Sequence, residues 1–364
     1  MISRLAPSFL PSTAVLEMTY KCNHACLFCS CPWEARNNGF KKGNEMPAEE
    51  WMRIISLLCS KGISNIAFTG GEPLLRKDLL RIIAHAASCT SEHIETIDGS
   101  LQSTFAPPKL YLISNARSMS DEVFEACRKY DVHLSMSLPG LSSLKYHTGG
   151  KGNPDHILTQ FRKAKEYGLS TTVNVTVTRK NIHELYETIA NGLIAGADSL
   201  LMNRFLPGGR GLRYTEELLL DLGQTNEMLD IAEEVLKTAG RKGSVGTELP
   251  KCILRRTDYE QLSVGTQCSA AMEFFVIGPS GLTRTCNHSP VQMVHINEWE
   301  KLKDHPYWKM FVYKEYHPSM CTGCQMLFHC DGGCREAAHI HGGSPDSPDP
   351  LLKDGCIPSF SQSC

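Results

Sequence analysis

The stretch YKCNHACLFCSCPW, Tyr20 to Trp33, places four cysteines within ten residues, directly behind TAVLEMTY, Thr13 to Tyr20, which reads as a strand. Cys22, Cys26 and Cys29 are spaced CxxxCxxC, and Cys31 adds a CxC with Cys29. Three thiolates this close can converge on one inorganic cluster, whereas a four-iron cluster needs a ligand on every iron. An iron without a protein thiolate can bind a small molecule, which makes such a site catalytic. A closed four-cysteine site is structural, and a zinc knuckle is a further alternative for the same spacing.

The chain has 364 residues, a formal net charge of -2 and a pI near 6.7. Its length suits one large core plus a smaller domain, and its charge gives no broad positive field for a nucleic-acid backbone. No basic region followed by a long apolar core opens the sequence, and no window approaches 18 charge-free apolar residues. A cytoplasmic protein with no membrane partner is expected. The 16 cysteines are then disfavoured as disulfides, which leaves metal ligation as the explanation. Cys59, Cys89 and Cys127 sit singly in helical patterns and read as small buried hydrophobes.

Outward from the cysteine loop, strand and helix patterns alternate. A helix from about Pro47 to Ser60 leads to strand Ile63 to Thr69, which ends in GGEP, and a second helix covers Lys77 to Ser88. His93 to Pro108 has little periodicity and reads as an insertion. Strands Lys109–Ser114, Asp131–Leu138, Ser170–Thr178 and Asp198–Leu206 then alternate with helices Ser120–Tyr130, Pro154–Tyr167 and Ile182–Asn191. These βα steps predict a largely parallel sheet of six strands with helices outside. The cysteine loop, GGEP, SLPG (Ser137 to Gly140) and FLPGG (Phe205 to Gly209) all follow strands, at the end where parallel α/β folds bind ligands. A long helix, Thr215 to Thr238, and a linker, GRKGSVG, come next. Beyond them the sequence predicts a hairpin turning at Gly278 to Gly281, a helix around Glu298 to Tyr313, and cysteine-rich loops whose folding needs metal.

CNHACLFC, with Phe28 before the third cysteine, resembles the motif of the radical S-adenosylmethionine (SAM) enzymes. The resemblance implies a four-iron, four-sulfur cluster on Cys22, Cys26 and Cys29, with the open iron chelated by the amine and carboxylate of SAM. Gly70, Gly71, Glu72 and Pro73 look like the family's second motif, which contacts that amine. Ser137, Asn174 and Leu206 stand, by position alone, where the family contacts the ribose or adenine. Cys31 either packs near the cluster or replaces a ligand in a damaged one. The implied fold is a partial (β/α)6 barrel over residues 13–240.

Residues 241–364 resemble the SPASM extension. Cys268, twelve residues, Gly281, four residues and Cys286 are followed by Cys321, Cys324, Cys330, Cys334 and Cys356 in the family's order. The resemblance implies two auxiliary iron-sulfur clusters, one on Cys268, Cys286 and Cys334, the other on Cys321, Cys324, Cys330 and Cys356. Cys252 is a candidate fourth ligand to the first, and Cys364 reads as free. The clusters could accept an electron from the substrate, shape the site, or hold together a poor core.

SPASM enzymes act on peptides or proteins, so a ribosomally made precursor peptide is the implied substrate, with flavodoxin or ferredoxin as electron donor. No leader-binding domain fits ahead of Thr13, which predicts docking on the catalytic body or through a separate protein. Cyclophane-type carbon–carbon crosslinking is favoured, by abstraction of a side-chain β-hydrogen and attack of the β-carbon on an aromatic ring. Epimerisation, for which Cys31 or Cys127 would be the hydrogen donor, thioether formation, formylglycine formation and a non-catalytic metal-bound peptide-binding protein are the alternatives. Asn287, beside His288, stands where sulfatase-maturing members carry an acidic base, and an amide cannot do that work. His329 and Asp331 flank Cys330. Tyr20, Trp33 and Tyr146 are candidates for a substrate opening, and Arg204 and Arg210 for a substrate carboxylate.

Overall fold

The computed structural model describes residues 8–36, 39–98 and 100–352; Cys356 and Cys364 lie outside them. The strands are β1 (Thr13–Glu17), β2 (Asn65–Thr69), β3 (Ser91–Ile97), β4 (Ser100–Ala106), β5 (Lys109–Ser114), β6 (Val132–Ser137), β7 (Thr171–Val177), β8 (Ser199–Arg204), β9 (Lys242–Val245), β10 (Leu262–Val264), β11 (Phe274–Ile277) and β12 (Thr283–Arg284). The helices are α1 (Ala48–Ser60), α2 (Leu79–Ser88), α3 (Asp121–Lys129), α4 (Leu144–His147), α5 (Pro154–Glu166), α6 (Leu185–Ile194), α7 (Thr215–Leu218), α8 (Leu222–Ala239), α9 (Pro306–Val312) and α10 (Arg335–Gly342).

Among the described residues one ten-stranded sheet runs β10-β9-β8-β7-β6-β5-β2-β1-β11-β12. The six expected strands are its centre, and every neighbouring pair is parallel except β11 with β12. The sheet does not stop at six: β9 pairs with β8, and β11 pairs with β1 from a segment some 260 residues later in the chain. Strands Thr13–Glu17 and Asn65–Thr69 are in register from end to end, so the cysteine loop and GGEP leave the sheet at one level.

Alternation along the strands divides the sheet's faces. Leu16, Phe68, Leu112, Leu134, Val173 and Met202 join Trp51, Ile82, Phe124, Phe161 and Leu229 of the helices in one core, and full burial of each such side chain contributes about 1.5–3 kcal/mol. The other face carries only a small apolar patch of Val15, Ala67 and Val276. Its remaining positions include the half-buried Thr172, Asn174, Thr176, Ser199 and Asn203.

Three expectations need correcting. The insertion is a regular antiparallel hairpin, β3 with β4; Asp98, at φ +50°, follows β3 in the Asp-Gly sequence that favours tight hairpins. The helix expected over Thr215–Thr238 is two, because Asp221 and Gln224 form a capping box that starts α8 afresh. The helix expected over Glu298–Tyr313 also divides, into a 3-10 segment Ile296–Asp304 and α9, because Pro306 has no amide to continue a helix and takes its first turn instead. The hairpin at Gly278–Gly281 forms as expected, with Gly281 at φ +83°.

Candidate functional site

The cysteine loop is fastened to GGEP by main-chain hydrogen bonds: Met18 N to Thr69 O at 2.8 Å, Gly71 N to Thr19 O at 2.8 Å and Glu72 N to Lys21 O at 2.8 Å. Both glycines are needed for this approach. A Cβ on Gly70, whose φ is +139°, would lie 2.7 Å from Thr19 O, and one on Gly71 would lie 2.2 Å from Lys21 O. Glu72 is buried, which raises its pKa. Its carboxylate accepts from Leu74 N at 3.1 Å, Ser114 Oγ at 2.8 Å and Asn115 N at 2.8 Å, so it ties GGEP to the end of β5.

The loop after β8 closes the opposite side. Gly211 N donates to Cys29 O at 3.1 Å and Arg210 Nη1 to Cys26 O at 3.2 Å. A Cβ on Gly209, at φ +49°, would lie 2.5 Å from Cys31 O. Leu27 N bonds His147 O at 2.8 Å, and Phe28 packs on the His147 ring at 5.8 Å.

Cys22 is exposed, while Cys26, Cys29 and Cys31 are half-buried. Burial raises Cys26, and Cys29 and Cys22 beside it add to the rise. The Cys31 thiol is hydrogen-bonded to Cys29; that bond holds Cys29 down and Cys31 well up. Cys31 Sγ donates to Gly70 O at 3.9 Å.

Ser137 and Asn174 are half-buried on the polar face of the sheet, and Asn174 Oδ1 accepts from Asn203 Nδ2 at 3.4 Å. Leu206 instead buries its side chain against Cys334 and Ala337. Neither candidate arginine awaits a substrate carboxylate: Arg204 is buried in a two-pronged pair with Asp349 (2.6 and 3.0 Å), and Arg210 pairs with Glu34. Tyr20, Trp33 and Phe40 cluster, with Tyr20 to Trp33 at 5.3 Å. Tyr146 is exposed and donates to Glu217 at 2.5 Å.

Cys268, Cys286 and Cys334 are buried and close enough to raise one another. Burial is the chief cause and takes Cys334 to about 12; Glu248 adds to the rise at Cys268 and Cys334, and Glu336 at Cys286. Three buried thiols facing carboxylates become thiolates only beside a compensating cation, which suits a metal centre. Buried acids position the loops: Cys268 N donates to Asp331 Oδ2 at 2.7 Å and Cys334 N to Asp349 Oδ2 at 2.9 Å. Glu336 accepts from Tyr307 Oη and Thr285 Oγ1, each at 2.9 Å. Cys321, Cys324 and Cys330 form a second neighbourhood, which Cys252 joins.

One bridge between the two ends of the chain was not legible in the sequence. Glu17, buried at the end of β1, pairs with Arg284 and accepts from Asn287 Nδ2 at 3.2 Å. Arg284 Nη1 also donates to Asn287 O at 3.0 Å and Ser289 O at 2.9 Å. Asn287 is thus a partner for a carboxylate. A separate groove of about 630 Å³, lined by Pro108, Lys109, Tyr130, His133 and Ser170, opens at the opposite ends of the strands, away from all these thiols.

Residues 16–191 match the model of the Radical SAM superfamily, a span that contains both the cysteine loop and GGEP. By this match the chain is similar to the radical SAM enzymes. It is 24% identical over 356 residues to a PqqA peptide cyclase of Bradyrhizobium diazoefficiens, covering 94% of this chain and 86% of the relative. It is 27% identical over 283 residues to one of Rhodopseudomonas palustris, covering 76% and 67%. Its fold resembles Streptococcus suis SuiB bound to S-adenosylmethionine (TM-score 0.68, 16% identity, 94% of this chain and 77% of that one). It also resembles anSMEcpe with bound AdoMet (TM-score 0.66, 14% identity, 93% of both chains).

Proposed function

We propose that this chain is a radical SAM enzyme and that it modifies a ribosomally made precursor peptide by joining two of its side chains through a carbon–carbon bond. The observation that carries the reading is the similarity to PqqA peptide cyclases, which extends over 94% of the chain and so includes the cysteine-rich C-terminal part. In this reading residues 13–240 are the partial (β/α)6 barrel and residues 241–364 the SPASM domain.

Cys22, Cys26 and Cys29 would hold the four-iron cluster on which SAM binds, and Cys268, Cys286, Cys334, Cys321, Cys324, Cys330, Cys252 and Cys356 are the thiols available to two auxiliary clusters. A reduced cluster held there would supply the electron that cleaves the SAM sulfonium, giving a 5′-deoxyadenosyl radical able to take hydrogen from carbon. Among the described residues no group of three or more His, Cys, Asp or Glu side chains that could hold a single metal ion is found.

The chain's own residues keep this chemistry in place. Gly70 and Gly71 let GGEP lie against the cysteine loop, and Glu72 fixes GGEP to β5. Ser137 and Asn174 line the polar face open to a nucleoside, and Leu206 offers its backbone, since its side chain is committed to packing. Crosslinking removes two hydrogens from the peptide: one would leave as an atom to the 5′-deoxyadenosyl radical, and the other as a proton whose electron an auxiliary cluster would accept. Flavodoxin or ferredoxin is the proposed electron donor, a separate leader-binding protein would recruit the peptide, and the cytoplasm is the proposed compartment; among the described residues no helix is long and apolar enough to cross a membrane.

The test is mass spectrometry of the short peptide encoded beside the gene after anaerobic co-expression, with Cys22→Ala as control. A mass lower by two hydrogens, with fragmentation blocked between two residues, is expected. An unchanged mass that gains deuterium in heavy water would replace crosslinking with epimerisation.

A further inference from the structure

Cys59 and Cys89 lie outside the thiol sets described above, and each stands singly in the sequence. The fold brings them together. Cys59 lies in the last turn of α1 and Cys89 caps α2, and their thiols are hydrogen-bonded to each other. Ser56, one turn before Cys59 on the same face of α1, marks the approach: its Oγ lies 3.8 Å from Cys89 Sγ.

The two thiols differ in their surroundings. Cys59 is buried and Cys89 half-buried. Cys89 Sγ lies 3.7 Å from His85 Nε2, and Ser56 Oγ holds that nitrogen at 2.8 Å. An imidazole so placed can take the thiol proton and, once charged, favour the thiolate left behind. Burial pushes the Cys59 thiol up to about 12, with Cys89 adding to the rise, so Cys59 keeps its proton and Cys89 is the thiol that reacts first. The pair lies by the N-terminal ends of the strands: Ser91 Oγ, two residues past Cys89, donates to Ile63 O at 2.6 Å, just ahead of β2, and to Cys59 O at 3.4 Å. The cysteine loop and GGEP leave the opposite ends.

We propose that Cys89, His85 and Cys59 form a reversible thiol–disulfide site whose substrate is a small-molecule disulfide of the glutathione type. In the first step the Cys89 sulfur, its proton passing to His85, attacks one sulfur of the small disulfide. The S–S bond of the small molecule breaks, and the leaving thiolate takes the proton from His85. In the second step the Cys59 sulfur attacks Cys89 Sγ, the mixed S–S bond breaks, and the second small thiolate leaves with the Cys59 proton. The two cysteines lose two electrons, the small disulfide gains them, and each released thiol carries away one proton. A transient bond of this kind is compatible with a reducing compartment, where permanent disulfides are not. It closes a covalent loop around β2 and GGEP, which lie between the two cysteines in the chain.

The test equilibrates the full-length holoprotein anaerobically with mixtures of reduced and oxidised glutathione, then alkylates, digests and weighs the peptides. A peptide joining Cys59 to Cys89, two hydrogens lighter than the sum of its parts, is expected at unchanged iron content, and excess reduced glutathione should remove it. Cys59→Ala should stop at Cys89 carrying one glutathionyl group, and Cys89→Ala should leave Cys59 a free thiol. His85→Phe should slow the first step about threefold to tenfold; an unaltered rate would overturn the role given to His85. Both cysteines alkylated after denaturation at every mixture, or joined to each other only once iron has been lost, would overturn the site. So would a glutathionyl group that stays on Cys89 while Cys59 is present. Should the variants fail to fold, the wild-type peptides alone give the answer. None of these measurements reads SAM cleavage or the precursor peptide, so failure of the crosslinking reading leaves the result standing.

Discussion

The two thiol-bearing regions are built by different means. Around Cys22, Cys26 and Cys29 the loop is held chiefly by main-chain hydrogen bonds to Thr69, Gly71, Glu72, His147 and Gly211, and glycines let those backbones approach. Around Cys268, Cys286 and Cys334 the loops are held by buried side-chain charge: Arg204 with Asp349, Lys314 with Asp331 at 3.0 Å, and Arg284 with Glu17. Backbone fastening leaves one side of the first region open, as a site that admits a cofactor and a peptide requires. Buried ion pairs close the second region and tie it to β1.

This difference can be broken most completely at the cysteine loop. Cys26→Ala should reduce reductive cleavage of SAM, followed as 5′-deoxyadenosine release, to background, while the circular dichroism of the fold is retained. Gly71→Ala should come next, because its Cβ collides with main chain and not with a flexible side chain. Turnover should fall about a hundredfold, as expected when a reacting group is displaced by about 1 Å, with a stability loss of only about 1–3 kcal/mol.

In the closed region stability should fall first. Arg284→Met leaves Glu17 buried and unpaired, and should cost about 3–5 kcal/mol in anaerobic chemical denaturation of the holoprotein. Arg210→Met, which removes a partly exposed partner of Glu34, should cost about 1 kcal/mol or less. Equal losses in the two variants would erase the distinction drawn between the regions.

The smallest effect is a pH dependence beside the open site. Burial alone would raise Glu184, but hydrogen bonds from Ser142 and Ser143 outweigh it and hold the carboxyl at about 2, below its ordinary 4.5. The folded-state pKa is depressed, so this contribution is fully present above about 4.5 and is lost as the pH falls through 2. The stability difference between the wild type and Glu184→Gln should therefore shrink as the pH is lowered across that window.

Local patterns made the centre of the molecule legible. Alternating βα periods gave the six central strands, and the glycines at positions 70, 71 and 281 marked turns that the fold does use. The errors are also local in origin. Asp221, Gln224 and Pro306 carried stop signals that an unbroken apolar period concealed, and the Asp-Gly pair at 98–99 carried a turn signal inside a stretch with little periodicity.

By itself the sequence determined the open three-cysteine spacing and the strands that present it, because a thiolate spacing and an apolar period are set within a few residues. Tertiary structure alone decided that β11 adds to β1, that Glu17 meets Arg284 and Asn287, that Arg204 and Arg210 are consumed by Asp349 and Glu34, and that Cys252 stands beside Cys330. Those partners are far apart along the chain, and which buried charge or thiol faces which follows from how the sheet edges and loops pack, a relation that spacing in the sequence does not encode.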